Sequence, residues 1–428
     1  MYPVTMGDIL HIAGSFGTGT DYTVRLSLRL ADEIDAELLH DALEATRRRY
    51  PYFSVRIRRN ESEYYYEDNH APITLHHTDD RISLNAEESN FHVWAVCYNE
   101  DRIHLEFYHG IADGTGMYMV LSTLLYYYCA RRYGVTDHSG IRTLEDAITP
   151  EETTDPYDLL PQIDLSVLKA PDMPPVFTLL GDGGLTPSDA VIWDIKVEER
   201  EFVRFSSAND ASPGTMVSIL LARAIDALYP TREKVLMNGY VINGRPMLGA
   251  PQSHHNCVTT VSFPYSDRVK SMPFDRQCTV HRGTTFVQSD AERVRMTMTA
   301  LASRNRALIQ TLPTLETKKQ AFAQMLRGGA TRYTYIVSYV GQWKHKSLSP
   351  YIREFWTHVP GASGLVSEIA AVNGGIFLSM HQRFREDTVV KAFIHQLEEN
   401  GIGYCVARSI ASDNARFPEP PADGAIAL

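Results

Sequence analysis

Residues 106–116 read EFYHGIADGTG, and this segment joins an apolar predicted strand to a predicted helix. His109 and Asp113 stand four residues apart in it, just before a helix that begins near Gly116. Histidine is the side chain best able to accept a proton near neutral pH, and the end of a strand holds its ring rigidly. Gly114 and Gly116 allow positive φ angles or a close approach of the backbone. The segment therefore predicts a general base in a tight turn.

A purely structural interpretation of the same residues is also open. In that interpretation Asp113 only caps the helix, and His109 is an ordinary, partly buried imidazole. A pattern as short as His-x-x-x-Asp-Gly also arises by chance in unrelated chains. The local residues alone therefore leave both interpretations standing.

Alternating strands and helices are predicted on both sides of this segment. In the first half they are a half-buried strand over 22–30, a helix between Asp35 and Pro51, hairpins over 54–67 and 93–107, and a helix over 116–133 ended by Gly134. In the second half the predicted helices cover 214–228, 290–306, 316–327 and 388–400, and the predicted strands cover 235–241, 257–263, 333–339, 368–372 and 376–382. Asn373-Gly374-Gly375 predicts a hairpin turn between the last two strands.

Proline content divides the chain into two parts. Residues 150–187 are rich in proline and acidic residues and predict a linker or wrapping loop. An N-terminal half over 1–149 and a C-terminal half over 188–428 would then be of comparable size. Two α/β halves of this kind predict a duplicated architecture with a cleft between them.

Composition excludes several classes of protein. The 428 residues are 44% hydrophobic and 22% charged, which excludes global disorder. A net charge of −11 disfavours a nucleic-acid or anionic-membrane binder, while leaving room for a small basic pocket. The five cysteines are widely spaced and predict buried, reduced thiols rather than a disulfide framework or zinc site. Without a signal-like N-terminus or an apolar run of about 20 residues, we expect a cytoplasmic protein that does not span a membrane.

Three further motifs are interpreted as structural. The segment GSFGTG at 14–19 lacks the lysine of a phosphate-binding loop and predicts a flexible loop. His254 and His255 are adjacent, so their side chains diverge, and no metal site is expected. Lys318 and Lys319 are most simply explained as a solvated helix face.

The segment at 106–116 resembles the His-His-x-x-x-Asp-Gly signature of the CoA-dependent acyltransferase superfamily. That superfamily includes chloramphenicol acetyltransferase-like enzymes, condensation domains, wax ester synthases and alcohol acetyltransferases. Other segments resemble its elements in the same order, namely 28–55, Gly214-Thr215, Asn243-Gly244-Arg245-Pro246, His255-Asn256 and 337–341. The resemblance covers most of residues 20–400. It implies an α/β (α+β) fold of two chloramphenicol acetyltransferase-like subdomains, which form a pseudo-dimer with the active site in a tunnel between them.

The resemblance also implies roles for individual residues. His109 would be the general base, Asp113 a structural residue that pairs with an arginine such as Arg245, and Gly114 part of the turn. Candidate oxyanion or acceptor contacts are Ser338, Tyr339 and Asn256, and candidate CoA-binding residues are Arg245, Lys318 and Arg332. The chain departs from the family at Tyr108, Tyr339 and His255, which stand where histidine, asparagine and glycine are usual.

Three functions are compatible with this resemblance. The first is transfer of an acyl group, with acetyl-CoA the favoured donor, to an alcohol acceptor. The second is a stand-alone condensation-type enzyme that uses thioesters on an acyl carrier protein to form an ester or an amide. The third is a catalytically inactive binding protein of the same fold. The first would need acyl-CoA as a co-substrate, with no permanently bound cofactor and no metal.

Overall fold

The computed structural model describes residues 2–19, 22–167, 173–360, 364–411 and 418–423. Within these ranges the strands are β1 (Tyr2–Pro3), β2 (Thr23–Leu30), β3 (Val55–Arg59), β4 (Tyr64–Asp68), β5 (Leu75–His77), β6 (Trp94–Asn99), β7 (Arg102–Tyr108), β8 (Pro187–Glu198), β9 (Leu236–Asn243), β10 (Val258–Tyr265), β11 (Tyr335–Gln342), β12 (Ile352–His358), β13 (Leu365–Val372), β14 (Gly375–Phe384) and β15 (Tyr404–Ala411). The helices are α1 (Ile9–Thr18), α2 (Ala36–Arg49), α3 (Gly114–Tyr133), α4 (Pro150–Thr153), α5 (Glu199–Ala208), α6 (Pro213–Leu228), α7 (Arg245–Leu248), α8 (Asp267–Lys270), α9 (Phe274–Gln288), α10 (Ala291–Thr311), α11 (Leu315–Ala330) and α12 (Thr388–Glu399).

The N-terminal half contains a five-stranded sheet in the order β12-β2-β7-β6-β5 and a small sheet in the order β1-β4-β3. Both hairpins predicted here are present, as β3–β4 and β6–β7. The Asp35 carboxylate caps α2 by accepting from the amides of Glu37 and Leu38, each at 3.1 Å. Gly134 ends α3 in the left-handed region with φ 72°, as predicted.

Strand β2 differs from the prediction in its burial. The alternation of apolar and polar residues predicted one solvated face, whereas nearly the whole strand is buried. Arg25, one of the polar residues, pairs with the equally buried Glu106 on β7. The pair is what allows the polar face of β2 to be covered, because buried charges need a partner.

The C-terminal half is built on a seven-stranded sheet in the order β10-β9-β11-β13-β14-β8-β15. Helices α6 and α12 pack against each other beside this sheet and supply much of the second large hydrophobic core. The predicted turn between β13 and β14 is present, with positive φ angles of 47° at Asn373 and 80° at Gly374.

One strand crosses between the halves. Strand β12, from the C-terminal part of the chain, lies at the edge of the N-terminal sheet and pairs antiparallel with β2. Trp356 on β12 is buried and packs edge-to-face on Phe377 of β14, with ring centroids 4.9 Å apart. The edge of one sheet is therefore completed by a strand that also packs on the other.

The proline-rich segment wraps against both halves. It begins with α4, where Glu152 is buried and accepts two hydrogen bonds of 3.0 Å from the Arg49 guanidinium. Further on, Asp155 accepts from the amide of Gly7 at 2.7 Å. The carbonyl of Glu152 accepts from the amide of His254, in the C-terminal half, at 3.1 Å. These contacts attach the described part of the segment firmly, and the division into 1–149, 150–187 and 188–428 stays a prediction.

The segment at 14–19 is a helix, not the flexible loop that its glycines predicted. It forms the second half of α1 and the cap that ends it, and α1 packs against α11. A Cβ atom placed on Gly17 would lie 2.6 Å from the carbonyl oxygen of Lys319. The glycine is therefore explained by the close approach of two helices.

Two other expectations about side chains need correction. Lys318 and Lys319 are buried rather than solvated: Lys318 Nζ donates to the carbonyl of Ser62 at 2.8 Å, and Lys319 Nζ pairs with Glu419 at 2.9 Å. All five cysteines are free, and four are buried as predicted, but Cys405 is exposed.

Candidate active site

The segment at 106–116 forms the junction between β7 and α3. Asp113 is the N-cap of α3, and its Oδ1 accepts from the amide of Gly116 at 3.1 Å. The same buried carboxylate receives two hydrogen bonds from Arg245, of 2.7 and 2.8 Å, and one of 3.0 Å from the amide of Cys257. Burial alone would raise the pKa of the Asp113 carboxyl, but Arg245 and the two amides together lower it below its ordinary value. Asp113 is therefore an ionised anchor that ties the two halves of the chain together.

The Arg245 guanidinium is fully engaged by protein groups. Besides Asp113, it donates from Nε to the carbonyl of Ser253 at 2.7 Å and from Nη2 to the carbonyl of His255 at 2.6 Å. The side chain is 1% exposed and does not line the cavity described below. The expected CoA contact of Arg245 is corrected to a structural role.

His109 is the first residue after β7, and its main chain is held on both sides. Its amide donates to the carbonyl of Tyr22 at 2.8 Å, and its carbonyl accepts from Asn256 Nδ2 at 2.8 Å. The ring Nδ1 has no hydrogen-bond partner among the residues that the structure describes. A fixed backbone and an uncommitted ring are what a general base requires.

His11 on α1 is a site residue that the sequence analysis missed. Its ring stacks on that of His109, with centroids 4.7 Å apart and an interplanar angle of 15°. Burial, and then the neighbouring His109, lower the pKa of His11 to about 3, so the ring is neutral at physiological pH. The helical spacing of Ile9, Ile12 and Ala13, all buried, is a signal that could have revealed this helix.

Asn256 and His255 belong to a buried polar network beneath this histidine pair. Asn256 Nδ2 donates to Asp8 Oδ1 at 3.0 Å as well as to His109, and Asn256 does not line the cavity. His255 contacts Asp8 Oδ2 through Nδ1 at 2.9 Å and the carbonyl of Thr153 through Nε2 at 3.1 Å. Burial opposes a charge on His255, but Asp8 outweighs it and raises the pKa of His255 to about 8. The expected oxyanion contact of Asn256 is therefore corrected to support of the His109 backbone.

His109 opens onto a cavity of about 1100 Å³ that both halves line. The cavity walls include His11, Tyr22 and Gly114 from the first half and Ser338 and Tyr339 from β11. Strand β11 carries a bulge between Tyr339 and Gly341, where Gly341 has φ 105°. Bulges of this kind redirect side chains next to functional sites.

Charged side chains also reach this cavity. They are Arg304, Arg332, Lys344 and Glu368, together with Asp113. Of the three expected CoA-binding residues, Arg332 lies on the wall, whereas Lys318 is directed to Ser62 and Arg245 to Asp113. The cavity therefore has cationic groups available for an anionic ligand, although only one of them was anticipated.

Within the described ranges no three His, Cys, Asp or Glu side chains cluster closely enough to hold a metal ion. None of the described helices combines the length and the apolar character that a membrane span needs.

Comparison with known proteins gives similarity in structure only. No protein-family model matches the chain, and no curated protein matches it in sequence. Polyketide synthase associated protein 5 from Mycobacterium tuberculosis superimposes with a TM-score of 0.59 at 12% identity, over 93% of this chain and 98% of that chain.

Two further structures show the same similarity. F. graminearum TRI101 complexed with coenzyme A and T-2 mycotoxin gives a TM-score of 0.61 at 10% identity, over 94% of this chain and 99% of the other. The first condensation domain of the calcium-dependent antibiotic synthetase, in complex with a substrate analogue, gives 0.61 at 13%, over 94% and 98%. The mixed α/β chain therefore has the two-subdomain, chloramphenicol acetyltransferase-like fold of CoA-dependent acyltransferases and condensation domains.

Proposed function

We propose that this protein is an acyltransferase that moves an acyl group from acyl-CoA, with acetyl-CoA the first donor to test, to the hydroxyl of a small-molecule acceptor. The observation that carries the proposal is the placement of His109. Hydrogen bonds hold its amide and its carbonyl, and the residue lies on the wall of a cavity that both halves line. TRI101 binds coenzyme A and T-2 mycotoxin in its solved structure, which supports this kind of donor and acceptor.

His109 acts as the general base in the proposed reaction. It takes the proton of the acceptor hydroxyl as the oxygen attacks the thioester carbonyl. The tetrahedral intermediate collapses by breaking its C–S bond, and the proton held by His109 passes to the departing CoA sulfur. The acyl group ends on the acceptor oxygen as an ester, and His109 is neutral again.

The oxyanion of the tetrahedral intermediate needs a hydrogen-bond donor. Ser338 and Tyr339 both line the cavity, whereas Asn256 does not. Burial raises the pKa of Tyr339, so its hydroxyl keeps its proton and remains a donor. We assign the oxyanion to these two hydroxyls, and Asp113 to holding the turn that carries His109.

Arg332 and Arg304 are the proposed contacts for the phosphates of CoA. Both line the cavity, and neither forms an ion pair with a residue of the described ranges. Guanidinium groups bind phosphate oxygens in a bidentate manner, which suits this role.

Transfer from a carrier-bound thioester is the second candidate, because a condensation domain superimposes as well as TRI101 does. In that case the donor is an acyl group on the phosphopantetheine of a carrier protein, and the product is an ester or an amide. The chemistry at His109 is the same in both cases, so the donor experiment separates them.

Removal of His109 tests the function. We expect His109→Ala to lower kcat for thioester cleavage coupled to acceptor acylation by about two to four orders of magnitude, the usual contribution of a general base. The assay follows thiol release from acetyl-CoA, longer acyl-CoAs and carrier-bound donors, with alcohols and amines as acceptors, and mass spectrometry identifies the product.

The matched control is His395→Ala, which removes an exposed histidine from α12 and should leave kcat unchanged. Equal acyl transfer by the wild type and His109→Ala would show that His109 is not the base. Absence of transfer with every donor would favour the inactive binding protein.

A further inference from the structure

The cavity contains an acidic side chain that the proposed reaction does not use. Two carboxylates are among the lining residues, Asp113 and Glu368. Asp113 is already paired with Arg245. Glu368 forms no ion pair with any residue that the structure describes, although it is only 5% exposed.

Glu368 lies in the middle of the C-terminal sheet. It stands on β13, with Ser338 of β11 opposite it on one side and Ser379 of β14 on the other. Burial raises the pKa of the Glu368 carboxyl to about 8, and the Ser338 hydroxyl offsets only part of that rise. Burial of a carboxylate without a counter-charge is costly, and carboxyl groups perturbed in this way cluster at functional sites.

The titratable groups on the neighbouring strands do not supply that partner. His358 Nε2 contacts Asp194 at 3.0 Å, and Ser379 donates to the same carboxylate at 2.8 Å. Burial lowers the pKa of His381, on β14, well below its ordinary value, so this ring is neutral. The cationic lining residues form no ion pair with Glu368.

We propose that Glu368 binds an ammonium group carried by the acyl acceptor, so that the acceptor is an amino alcohol whose hydroxyl is acylated at His109. The inference rests on the proposed acyl transfer for the role of the bound molecule, and on the buried Glu368 carboxyl, which lines the cavity and has no ion-pair partner among the described residues, for the charge of that molecule. An uncharged acceptor would need only neutral hydrogen-bonding groups and no buried acid. An ammonium group gives the carboxylate a charge-assisted hydrogen bond inside a low-dielectric cavity.

Binding follows a balanced exchange of one proton. The free carboxyl of Glu368 holds a proton at pH 7, and the ammonium group arrives with its own positive charge. On binding, the carboxyl releases its proton to the buffer and the two groups form an ion pair. A neutral diol of the same length binds without releasing a proton.

The first test is isothermal titration calorimetry with ω-amino alcohols of three to eight carbons and the diols of matched length. For the wild type we expect at least one amino alcohol to bind about tenfold more tightly than its diol. Glu368→Gln should lose this preference while binding the diol equally well. Glu33→Gln changes an exposed glutamate outside the cavity and should keep the preference.

The second test measures proton release by the wild type alone, so it does not depend on the folding of a variant. Titrations at pH 7 in two buffers of different ionisation enthalpy should show close to one proton released per amino alcohol bound, and none per diol. Equal binding of amino alcohols and diols, no binding of any amino alcohol, or binding without proton release would each overturn the inference.

The two proposals fail in different ways. If Glu368-dependent ammonium binding is found but no acceptor is acylated, the ammonium site stands and the acyl transfer does not. If neutral alcohols are acylated through His109 without any preference for amino alcohols, the acyl transfer stands and the ammonium site does not.

Discussion

His11 and His109 form a stacked pair in which only one ring is offered a catalytic role. Because the pKa of His11 is lowered to about 3, its contribution at neutral pH is contact rather than charge. The stack restrains the plane of the His109 ring, and small errors in the orientation of a catalytic group are costly. His11 is therefore a positioning residue in the proposed reaction.

Substitution of His11 separates stacking from hydrogen bonding. We expect His11→Phe, which keeps a flat ring, to retain kcat within about threefold, and His11→Ala to lower kcat about tenfold or more. The KM for acyl-CoA should change little in either variant. Steady-state kinetics over pH 6–9 measure this, and an equal loss in both variants would mean that the ring nitrogens of His11 are needed.

The glycines of the motif differ in what surrounds them. A Cβ atom on Gly116 would collide with the carbonyl oxygen of His254, whereas a Cβ atom on Gly114 would meet nothing within 4 Å. We expect Gly116→Ala to lower the free energy of unfolding by about 1–3 kcal/mol, as overpacking does. Gly114→Ala should stay within about 0.5 kcal/mol of the wild type.

Urea denaturation followed by circular dichroism compares the two variants directly. If both alanines were tolerated equally, the close approach of α3 to His254 would not be the reason for glycine at 116.

Among individual residues, the sequence predicted those features that depend on neighbours in the chain. The order strand, histidine, aspartate and glycine indicated the turn, and the Asp113–Arg245 ion pair expected from the family resemblance is present. The sequence did not predict that Asn256 supports the His109 backbone or that Lys318 is buried. Those roles depend on partners far away in sequence, which no local pattern reveals.

Helix α1 owes its position to small residues. Gly14 and Gly17 face α11, and Cβ atoms there would collide with Leu326 and with the backbone at Lys319. Because α1 carries His11, a displacement of this helix also moves the stacked ring. Packing of α1 and the geometry of the site are therefore coupled.

Gly17→Ala tests this coupling. We expect it to lower the free energy of unfolding by about 1–3 kcal/mol and to reduce kcat, since α1 must shift away from α11. Gly283→Ala, in α9, places its methyl group in open space and should stabilise the protein by up to about 1 kcal/mol, because alanine favours the helix. Thermal unfolding and the transfer assay are the two measurements. If Gly17→Ala were destabilised but kept a normal kcat, the packing of α1 on α11 would not be coupled to the geometry of the site.

The elements that the sequence predicted best are those with local start and stop signals. Asp35, Gly134 and the Asn373-Gly374 turn mark helix and hairpin boundaries, and all three act as predicted. Helix α1 was missed because glycine weakens the helical pattern, and β12 because nothing near it in sequence specifies a partner. Both α1 and β12 pack against segments that are distant in sequence, and this packing determines where they lie.

For the whole molecule, the network of Asp8, His255 and Asn256 links α1, the wrapping segment and the loop that leads into β10. The pKa of His255 is about 8 in the folded protein against an ordinary value of 6.5. A raised folded-state pKa contributes stability that is fully present below pH 6.5 and is lost as pH rises through about 8.

We expect the titration of His255 to lower the free energy of unfolding by about 1.5 kcal/mol between pH 6.5 and pH 8.5. Glu368, whose folded-state pKa is also raised, adds to the decline in the same range. Asp8→Asn should remove the part of this decline that is due to His255, and Glu368→Gln the part that is due to Glu368. In each variant the free energy of unfolding should therefore fall less steeply with pH than in the wild type. Urea denaturation at pH 6.5, 7.5 and 8.5 provides the comparison, and a wild-type slope in Asp8→Asn would contradict the assignment.

The fold class was predictable because the motifs occur in the order that the family shows, and the structural comparisons agree with it. The sheet to which β12 belongs was not predictable, since the break in composition at 150–187 suggested that each half would build its own sheet. A boundary in composition therefore need not be a boundary in strand pairing.

The position of β12 has a consequence for the synthesis of the chain on the ribosome. The N-terminal half emerges first, and β2 remains an unpaired edge until residues 352–358 have been made. At about 5–20 residues per second, the wait between the synthesis of α3 and that of β12 is on the order of ten seconds or more. Throughout that time the nascent N-terminal half offers an open strand to chaperones and to neighbouring chains, and it is completed only when most of the second half has been translated.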